Sequence, residues 1–245
     1  MSNVEKCGIV NGRITKESAE KMKIIGIGNT AEVYEYGEGK VCKLFVEGYP
    51  REYVELEYGN AKEMYRLGIR VPKPYELVLI ENRNGIIYEK IDGISLLHQM
   101  MNDGEHIDEY LEKAVLVQKE IMAKKPGKLL SYKDFIRGIF AGKNIKDEDI
   151  FHKIQMLPDG EQLLHGDFHF GNILITKEGE YVVIDFMNVC YGPMLYDVAR
   201  TFCLINEKSD VVAKLYLSKM NVVETELEQY LDVIKLCRKY EMIEK

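Results

Sequence analysis

The chain has 245 residues, 46% of them hydrophobic and 30% charged, which suits one large domain or two lobes with a substantial core. Residues 1–90 hold 14 basic and 14 acidic side chains, whereas residues 91–245 hold 19 basic and 26 acidic ones, so the net charge of −7 arises in the second part. Such an acidic surface argues against a nucleic-acid partner, because it repels phosphates, and it favours cationic ligands.

Targeting and redox signals indicate a cytoplasmic protein. No apolar run approaches the roughly 20 residues of a membrane-spanning helix, and the first residues, Met1 to Lys6, lack the charged-then-apolar layout of a signal peptide. We therefore expect no membrane partner. The cysteines are odd in number and never form a C-x-x-C pair, as expected for reduced thiols; they are Cys7, Cys42, Cys190, Cys203 and Cys237.

A glycine-rich segment lies between two predicted strands near the N-terminus. Asn11-Gly12 predicts a turn, and a strand from Met22 to Ile27 leads into the segment Gly26–Ala31. A G-x-G pattern alone is weak, because glycine pairs usually mark a hairpin. Its position between strands, and not before a helix, argues against a dinucleotide-binding crossover and against the helix-opening phosphate loop.

Two charged residues interrupt apolar patterns in the elements that follow. Val41–Phe45 reads as a strand in which Lys43 shares a face with apolar neighbours, and Pro50 opens the next helix. Glu57 falls within the apolar stripe of that helix, where a carboxylate needs a cation, and Lys43 is the natural partner. Glu52 is the alternative partner, and a lysine that extends from an edge strand into solvent is the simpler interpretation of Lys43.

Strands give way to helices near residue 91. Strands at Glu76–Glu81 and Ile86–Glu89, joined by a hairpin turn at Asn82–Gly85, complete the first part. The helices of the second part are predicted near Ser95–Met101, Ile107–Ala123, Tyr132–Phe140, Asp147–Leu157, Met194–Ile205, Val211–Met220 and Glu224–Tyr240, with Ser95 and Asp147 as caps.

The most informative stretch runs from Leu163 to Ile175. Apolar runs at its two ends predict a buried β-type hairpin, with Asp167 and, five residues on, Asn172 in the loop between them. A further apolar run, from Tyr181, ends abruptly on Asp185, and a buried charge must be paired or bound to metal. These three polar residues together predict a site for a cation and a reactive hydroxyl.

Simpler roles exist for parts of this pattern. Asp167 alone fits a turn residue, and Asn172 alone fits a loop cap. His165, Asp167 and His169 also form an alternative ligand set for a metal hydrolase, since His and Asp both bind divalent ions.

The whole pattern is far rarer than its parts. It resembles the catalytic segment of the aminoglycoside phosphotransferase and choline kinase family, relatives of the protein kinases, whose loop has the same His-x-Asp-x-x-x-x-Asn spacing. The resemblance covers roughly residues 22–205, and its motifs occur in the expected order. It implies an α+β, two-lobed protein-kinase-like fold, with an antiparallel sheet and one main helix in residues 1–90 and a mainly helical lobe in residues 91–245.

The resemblance also implies roles for individual residues, with ATP and Mg²⁺ as cofactors. Asp167 would be the catalytic base, and Asn172 and Asp185 the metal ligands. Asp197, in a D-x-A-R element, would brace the catalytic loop, although a surface position is its simpler interpretation. The nucleotide site would comprise Gly26, Gly28, Thr30, Lys43, Glu57, Glu89 and Ile91.

The sequence departs from the protein-kinase pattern in three places. Ala31 replaces the third glycine of the loop, and Met187 replaces the glycine of D-F-G. Only about eight residues separate Asp185 from the next helix, whereas protein kinases need a longer segment there to dock a peptide. This favours a small-molecule acceptor.

We therefore expect a phosphotransferase that moves the γ-phosphate of ATP to a hydroxyl of a small molecule that is aminoglycoside-, choline- or sugar-like. The acidic surface favours a cationic acceptor. An atypical serine/threonine protein kinase, a non-catalytic nucleotide-binding module and the metal hydrolase are the alternatives. Because every reactive position is filled, the sequence argues against a decayed, non-catalytic form.

Overall fold

The computed structural model describes residues 9–10, 13–14, 23–142, 145 and 148–242. Three predictions lie outside these residues: the turn at Asn11-Gly12, the cap at Asp147 and the state of Cys7. Within the described part of the chain, no helix combines the length and the apolar character needed to cross a membrane.

A seven-stranded sheet forms the first part of the chain, in the order β1-β2-β6-β7-β5-β4-β3. Neighbouring strands are antiparallel except β2 and β6, which are parallel. The strands are β1 (Ile9–Val10), β2 (Arg13–Ile14), β3 (Ile24–Ile27), β4 (Ala31–Glu35), β5 (Lys40–Phe45), β6 (Pro74–Ile80) and β7 (Arg83–Glu89). The predicted strands at residues 41–45 and 86–89 are therefore confirmed.

Strand β5 presents Lys43 to the helix that follows it. Cys42 and Leu44 pack in a small cluster on one face of the sheet, while Phe45 joins the main core on the other. Helix α1 (Arg51–Arg66) covers that second face; Pro50, predicted in its first turn, is the N-cap residue that immediately precedes it. Because side chains alternate along a strand, Lys43 shares the face of Phe45 and points toward α1.

The predicted hairpin turn at Asn82–Gly85 is wrong by two residues. Ile80 pairs with Arg83, so the turn residues are Glu81 and Asn82, both in the left-handed backbone region with φ of 49° and 65°. Two positive φ values match the twist of a two-residue hairpin. Gly85 lies inside β7, where a Cβ would come within 3.1 Å of the Lys43 carbonyl oxygen, so it serves close packing and not the turn.

Helices dominate the rest of the chain. Ser95 caps the first of them, since its hydroxyl accepts the His98 N–H at 3.2 Å, as predicted. The helices are α2 (Leu96–Asn102), α3 (Ile107–Met122), α4 (Tyr132–Gly142), α5 (Glu148–Met156), α6 (Met194–Asn206), α7 (Asp210–Met220) and α8 (Glu228–Met242). Short 3₁₀ turns lie at Gly104–His106, Phe170–Asn172 and Glu224–Leu227.

The predicted hairpin around Asp167 is wrong. Strand β9 (Gln162–Leu164) pairs with β12 (Cys190–Gly192), whereas β10 (Ile173–Thr176) lies between β8 (Gly93–Ser95) and β11 (Tyr181–Val183). The two apolar runs are strands, as predicted, but they belong to different sheets. The loop between them therefore bridges two small sheets and is fixed at both ends.

Candidate active site

A cleft of about 1950 Å³ separates the seven-stranded sheet and α1 from the helical part. It is bounded by the glycine-rich segment, by α1, by the loop before β10 and by the cleft-facing sides of α4, α6 and α7. All ten residues predicted for the site line this cleft: Gly26, Gly28, Thr30, Lys43, Glu57, Glu89, Ile91, Asp167, Asn172 and Asp185. Their roles in binding or catalysis remain predictions.

The glycine-rich segment is a turn between β3 and β4. The Gly28 N–H donates to the Ala31 carbonyl at 2.8 Å, and the Thr30 carbonyl accepts from Val46 N–H at 2.9 Å. Neither Gly26 nor Gly28 has a positive φ, so the backbone conformation does not itself require glycine at these positions. Because Gly26 and Gly28 have no side chain, the backbone of this segment is accessible from the cleft.

Lys43 is held between two carboxylates. Its Nζ lies 2.7 and 2.9 Å from the two Glu57 oxygens and 2.9 Å from Asp185 Oδ1. Tyr88 adds a hydroxyl that donates to Glu57 Oε1 at 3.3 Å. The predicted pairing of Lys43 with Glu57, and not with Glu52, is confirmed. The three donors of one ammonium thus join β5, α1 and the segment that follows β11.

Burial and the neighbouring charges shift the pKa values of Lys43, Glu57 and Asp185 in opposite directions. Burial disfavours the Lys43 charge, but the carboxylates of Asp185 and Glu57 outweigh it and raise the Lys43 pKa. Burial raises the pKa of Glu57 above its usual range even beside Lys43, since its side chain is only 1% exposed. Burial also opposes ionisation of Asp185, but Lys43 lowers the Asp185 pKa below its ordinary value.

Glu57→Gln tests whether this pair orients Lys43. The substitution removes the carboxylate that fixes the ammonium, so we expect kcat for phosphate transfer to fall about 10–100-fold, as is typical when a partner of an active-site group is lost. Steady-state kinetics at saturating ATP measure this change in kcat. Glu52→Gln, in the exposed first turn of the same helix, is the matched control; an equal loss in both variants would contradict the assignment.

Gly166 sets the path of the loop that carries Asp167. Its φ is 75°, and a Cβ there would lie 2.2 Å from the Asn188 carbonyl oxygen, so only glycine fits. Its N–H donates to Asp197 Oδ1 at 2.7 Å, and its carbonyl accepts from Arg200 Nε. Asp197 is fully buried, which confirms that it braces the loop and excludes the surface interpretation.

Asp167 follows this fixed peptide and faces the cleft. Asn172 Nδ2 donates to the Asp167 carbonyl at 3.0 Å and to Oδ2 at 3.2 Å, which closes the loop on itself. Arg200 Nη2 lies 3.8 Å from Asp167 Oδ1, and His169 Nε2 lies 3.7 Å from Oδ2. The carboxylate is therefore oriented by neighbours while 24% of its side chain stays accessible to a reactant.

His165 supports the loop from beneath. Its Nδ1 accepts the Asp167 N–H at 3.3 Å, which leaves Nε2 to donate to the Ile184 carbonyl at 3.2 Å. Burial lowers the His165 pKa, in agreement with this neutral tautomer. Because both ring nitrogens are engaged, His165 has none left for a metal ion. The His165, Asp167 and His169 ligand set of the hydrolase alternative therefore lacks one of its members. Among the described residues, no three His, Cys, Asp or Glu side chains cluster as metal ligands.

Asn172 and Asp185 fit the ligand chemistry of Mg²⁺. The Ile184 N–H donates to the Asn172 carbonyl at 2.9 Å, which brings the two segments side by side. Asn172 directs its amide nitrogen to Asp167, so its side-chain oxygen is the atom left for a metal. Asp185 has a φ of 68°, a left-handed conformation that aspartate tolerates better than most residues. Amide and carboxylate oxygens are the donors that Mg²⁺ prefers.

Two contacts that support the segments around the cleft were not predicted. Asn60, on the buried face of α1, donates from Nδ2 to the Phe186 carbonyl at 2.8 Å and ties α1 to the segment after Asp185. Gln118, on α3, donates to Asp197 Oδ2 at 3.0 Å. Both are amides within apolar helical stripes, which is the same signal that identified Glu57.

Comparisons with known proteins agree with this geometry. A family model described as the phosphotransferase enzyme family (APH) matches residues 152–219. No curated protein matches the sequence. The resemblance to aminoglycoside phosphotransferases and choline kinases is therefore confirmed by the family match and by the structures that follow.

Several solved structures share the fold at low sequence identity. A thermostable mutant of aminoglycoside phosphotransferase APH(4)-Ia is 17% identical, with 90% of this chain and 86% of that chain covered and a TM-score of 0.65. APH(3'')-Id from Streptomyces rimosus, in complex with ADP and streptomycin, is 12% identical (88% and 92% covered, TM-score 0.64). Choline kinase LicA from Streptococcus pneumoniae is 17% identical (89% and 83% covered, TM-score 0.60). The predicted protein-kinase-like fold is thus confirmed.

Proposed function

We propose that the protein is an ATP- and Mg²⁺-dependent phosphotransferase whose acceptor is a hydroxyl group of a small molecule. The observation that carries this proposal is the convergence of Lys43, Glu57 and Asp185 with Asp167 and Asn172 on one cleft. The family match and the ADP-bound structural neighbour support a nucleotide in this cleft. Residues 1–90 would bind the nucleotide, and residues 91–245 would supply catalysis and acceptor binding.

The proposed reaction assigns one task to each side chain. Lys43, oriented by Glu57, donates to phosphate oxygens of ATP. Asn172 and Asp185 would hold Mg²⁺, which would neutralise charge on the phosphates. Asp167 orients the acceptor hydroxyl and accepts its proton as the oxygen attacks the γ-phosphorus, the bond to ADP breaks, and ADP leaves. The residues thus provide positioning and charge and form no covalent intermediate.

The segment after Asp185 favours a small acceptor over a peptide. It comprises only the eight residues from Phe186 to Pro193, and part of it is β12, which pairs with β9. The neighbours' names include aminoglycosides, choline and ethanolamine as acceptor classes. By the proposal, this chain takes a hydroxylated acceptor of aminoglycoside, amino-alcohol or sugar type, and a cationic group suits its acidic second part.

Transfer of labelled γ-phosphate tests the proposal directly. The protein is incubated with Mg²⁺, γ-labelled ATP and a panel of aminoglycosides, amino alcohols and sugars, and we expect label on a hydroxyl of one class. Excess EDTA is expected to abolish transfer, because the Asn172–Asp185 site then lacks its ion, and added Mg²⁺ to restore it. Label on protein serine without any small acceptor would favour the protein kinase instead.

A further inference from the structure

A chain of buried hydrogen bonds connects α7 with the catalytic loop. The Tyr216 hydroxyl donates to Gln118 Oε1 at 2.7 Å, and Gln118 Nε2 donates to Asp197 Oδ2 at 3.0 Å. Asp197 Oδ1 in turn accepts the Gly166 N–H at 2.7 Å. We call Tyr216, Gln118 and Asp197 the buried chain; each side chain is at most 1% exposed. It crosses α7, α3 and α6 before it reaches the residue that precedes Asp167.

The orientation of the Gln118 amide follows from its partners. Its nitrogen faces the Asp197 carboxylate and the Thr201 hydroxyl, which lies 3.0 Å away, and its oxygen faces Tyr216. A reversed amide would place its oxygen against a buried carboxylate and leave donors unpaired, which is costly in a low-dielectric interior. Burial raises the pKa of Tyr216 well above its usual range, so its hydroxyl keeps the proton that it donates.

The far end of α7 reaches the cleft. Ser209, which caps this helix, and Val212 in its first turn line the same cleft as Asp167. A single helix therefore presents its first turn to the cleft and carries Tyr216 of the buried chain.

We propose that Gln118 and Tyr216 are positioning residues, which act through Asp197 and the Gly166 peptide to align Asp167 with the acceptor hydroxyl. This inference rests on the proposed phosphotransferase activity. Neither residue lines the cleft, so the predicted defect falls on kcat and leaves the KM for ATP near its wild-type value. We expect kcat to fall about tenfold in Gln118→Met and about threefold in Tyr216→Phe.

Gln118→Glu distinguishes positioning from simple packing. A protonated glutamic acid reproduces two of the three glutamine bonds, since its O–H donates to Asp197 and its carbonyl accepts from Tyr216, while the Thr201 hydroxyl loses its donor. An ionised one repels Asp197. The new carboxyl would lie against Asp197 and Thr201 on α6 and Tyr216 on α7. The Asp197 charge also acts on His165 and Cys190, which are the further titratable groups around it. Two adjoining buried carboxyls retain one shared proton to unusually high pH.

The experiment compares kcat relative to wild type between pH 6 and pH 9. For Gln118→Glu we expect a ratio close to one at pH 6 that falls about tenfold by pH 9, whereas the ratio for Gln118→Met stays low throughout. Gln99→Glu, on α2 and outside the cleft, is the matched control and is expected to give a flat ratio near one. Thermal melting shows that each variant is folded.

Three results would overturn the inference. They are a wild-type kcat in Gln118→Met, a pH-independent ratio in Gln118→Glu, and losses that raise the KM for ATP as much as they lower kcat. If Gln118→Met does not fold, Tyr216→Phe decides the question through the same split between kcat and KM. If the wild-type protein transfers phosphate to no hydroxyl, the proposed function itself fails, and that result is seen before any variant is made.

Discussion

Asp167→Asn is expected to lower kcat for phosphate transfer by about 10²–10⁴-fold, the usual contribution of a general base. An asparagine keeps the size and one acceptor oxygen of the side chain but takes up no proton. The loop should survive, because the Asn172 amide also donates to the backbone carbonyl of residue 167, and Gly166 remains fixed by Asp197. We therefore expect Asp167→Asn to slow the chemical step and to leave the stability of the fold nearly unchanged.

Three measurements on this variant separate the possibilities. Steady-state kinetics give kcat, titration with a fluorescent ATP analogue gives nucleotide affinity, and thermal melting gives stability; we expect only kcat to change strongly. Asp232→Asn, on the exposed surface of α8, is the matched control. An Asp167→Asn enzyme within about threefold of wild type would remove the proposed base.

Lys43→Met should impair both activity and folding. Loss of a positioned positive charge on the phosphates is expected to cost about 10²–10³-fold in kcat/KM for ATP. Glu57, at 1% exposure, loses its ion-pair partner and keeps only the Tyr88 hydroxyl. Removing one member of a buried pair is typically costly, and we expect up to about 3 kcal/mol of lost stability at pH 8.

The loss of stability in Lys43→Met should depend on pH. Burial already raises the pKa of Glu57, and without Lys43 nothing of opposite charge restrains that rise. A carboxyl whose folded-state pKa lies above its unfolded value stabilises the fold at low pH and loses that contribution as pH rises through the folded-state pKa. The difference in melting temperature from wild type should therefore be larger at pH 8 than at pH 5.

Urea or thermal unfolding at pH 5 and pH 8 measures how the loss of stability in Lys43→Met changes with pH. Lys40→Met, at the start of the same strand, is the control, because Lys40 lies over the Tyr75 ring outside the cleft and has no buried carboxylate to release. A destabilisation of Lys43→Met that is equal at both pH values, or larger at pH 5, would contradict the account of Glu57.

The site was predictable where a charge interrupts an apolar pattern. Lys43 on a strand face and Glu57 on a helical stripe each required a partner, and the structure pairs them. Gln118 carries the same signal, three residues after Val115 and four before Met122, both buried. An uncharged amide can form hydrogen bonds with many kinds of donor and acceptor, so the pattern did not identify Asp197 as the partner of Gln118.

Strand pairing was the weaker part of the prediction. An apolar run shows that a segment is a buried strand, but it does not name the strand beside it. The run at Leu163-Leu164 pairs with residues near Tyr191, and the run at Ile173 pairs with strands that begin near Gly93 and Tyr181. Such pairings depend on loop paths and long-range contacts, which local periodicity does not encode.

The short link between Asp185 and α6 affects how the activity would be controlled. With eight residues, three of them paired to β9, this stretch has little freedom to adopt an alternative inactive arrangement or to present a long flexible loop to a modifying enzyme. By the proposal, we expect no control of the activity through rearrangement or modification of this segment.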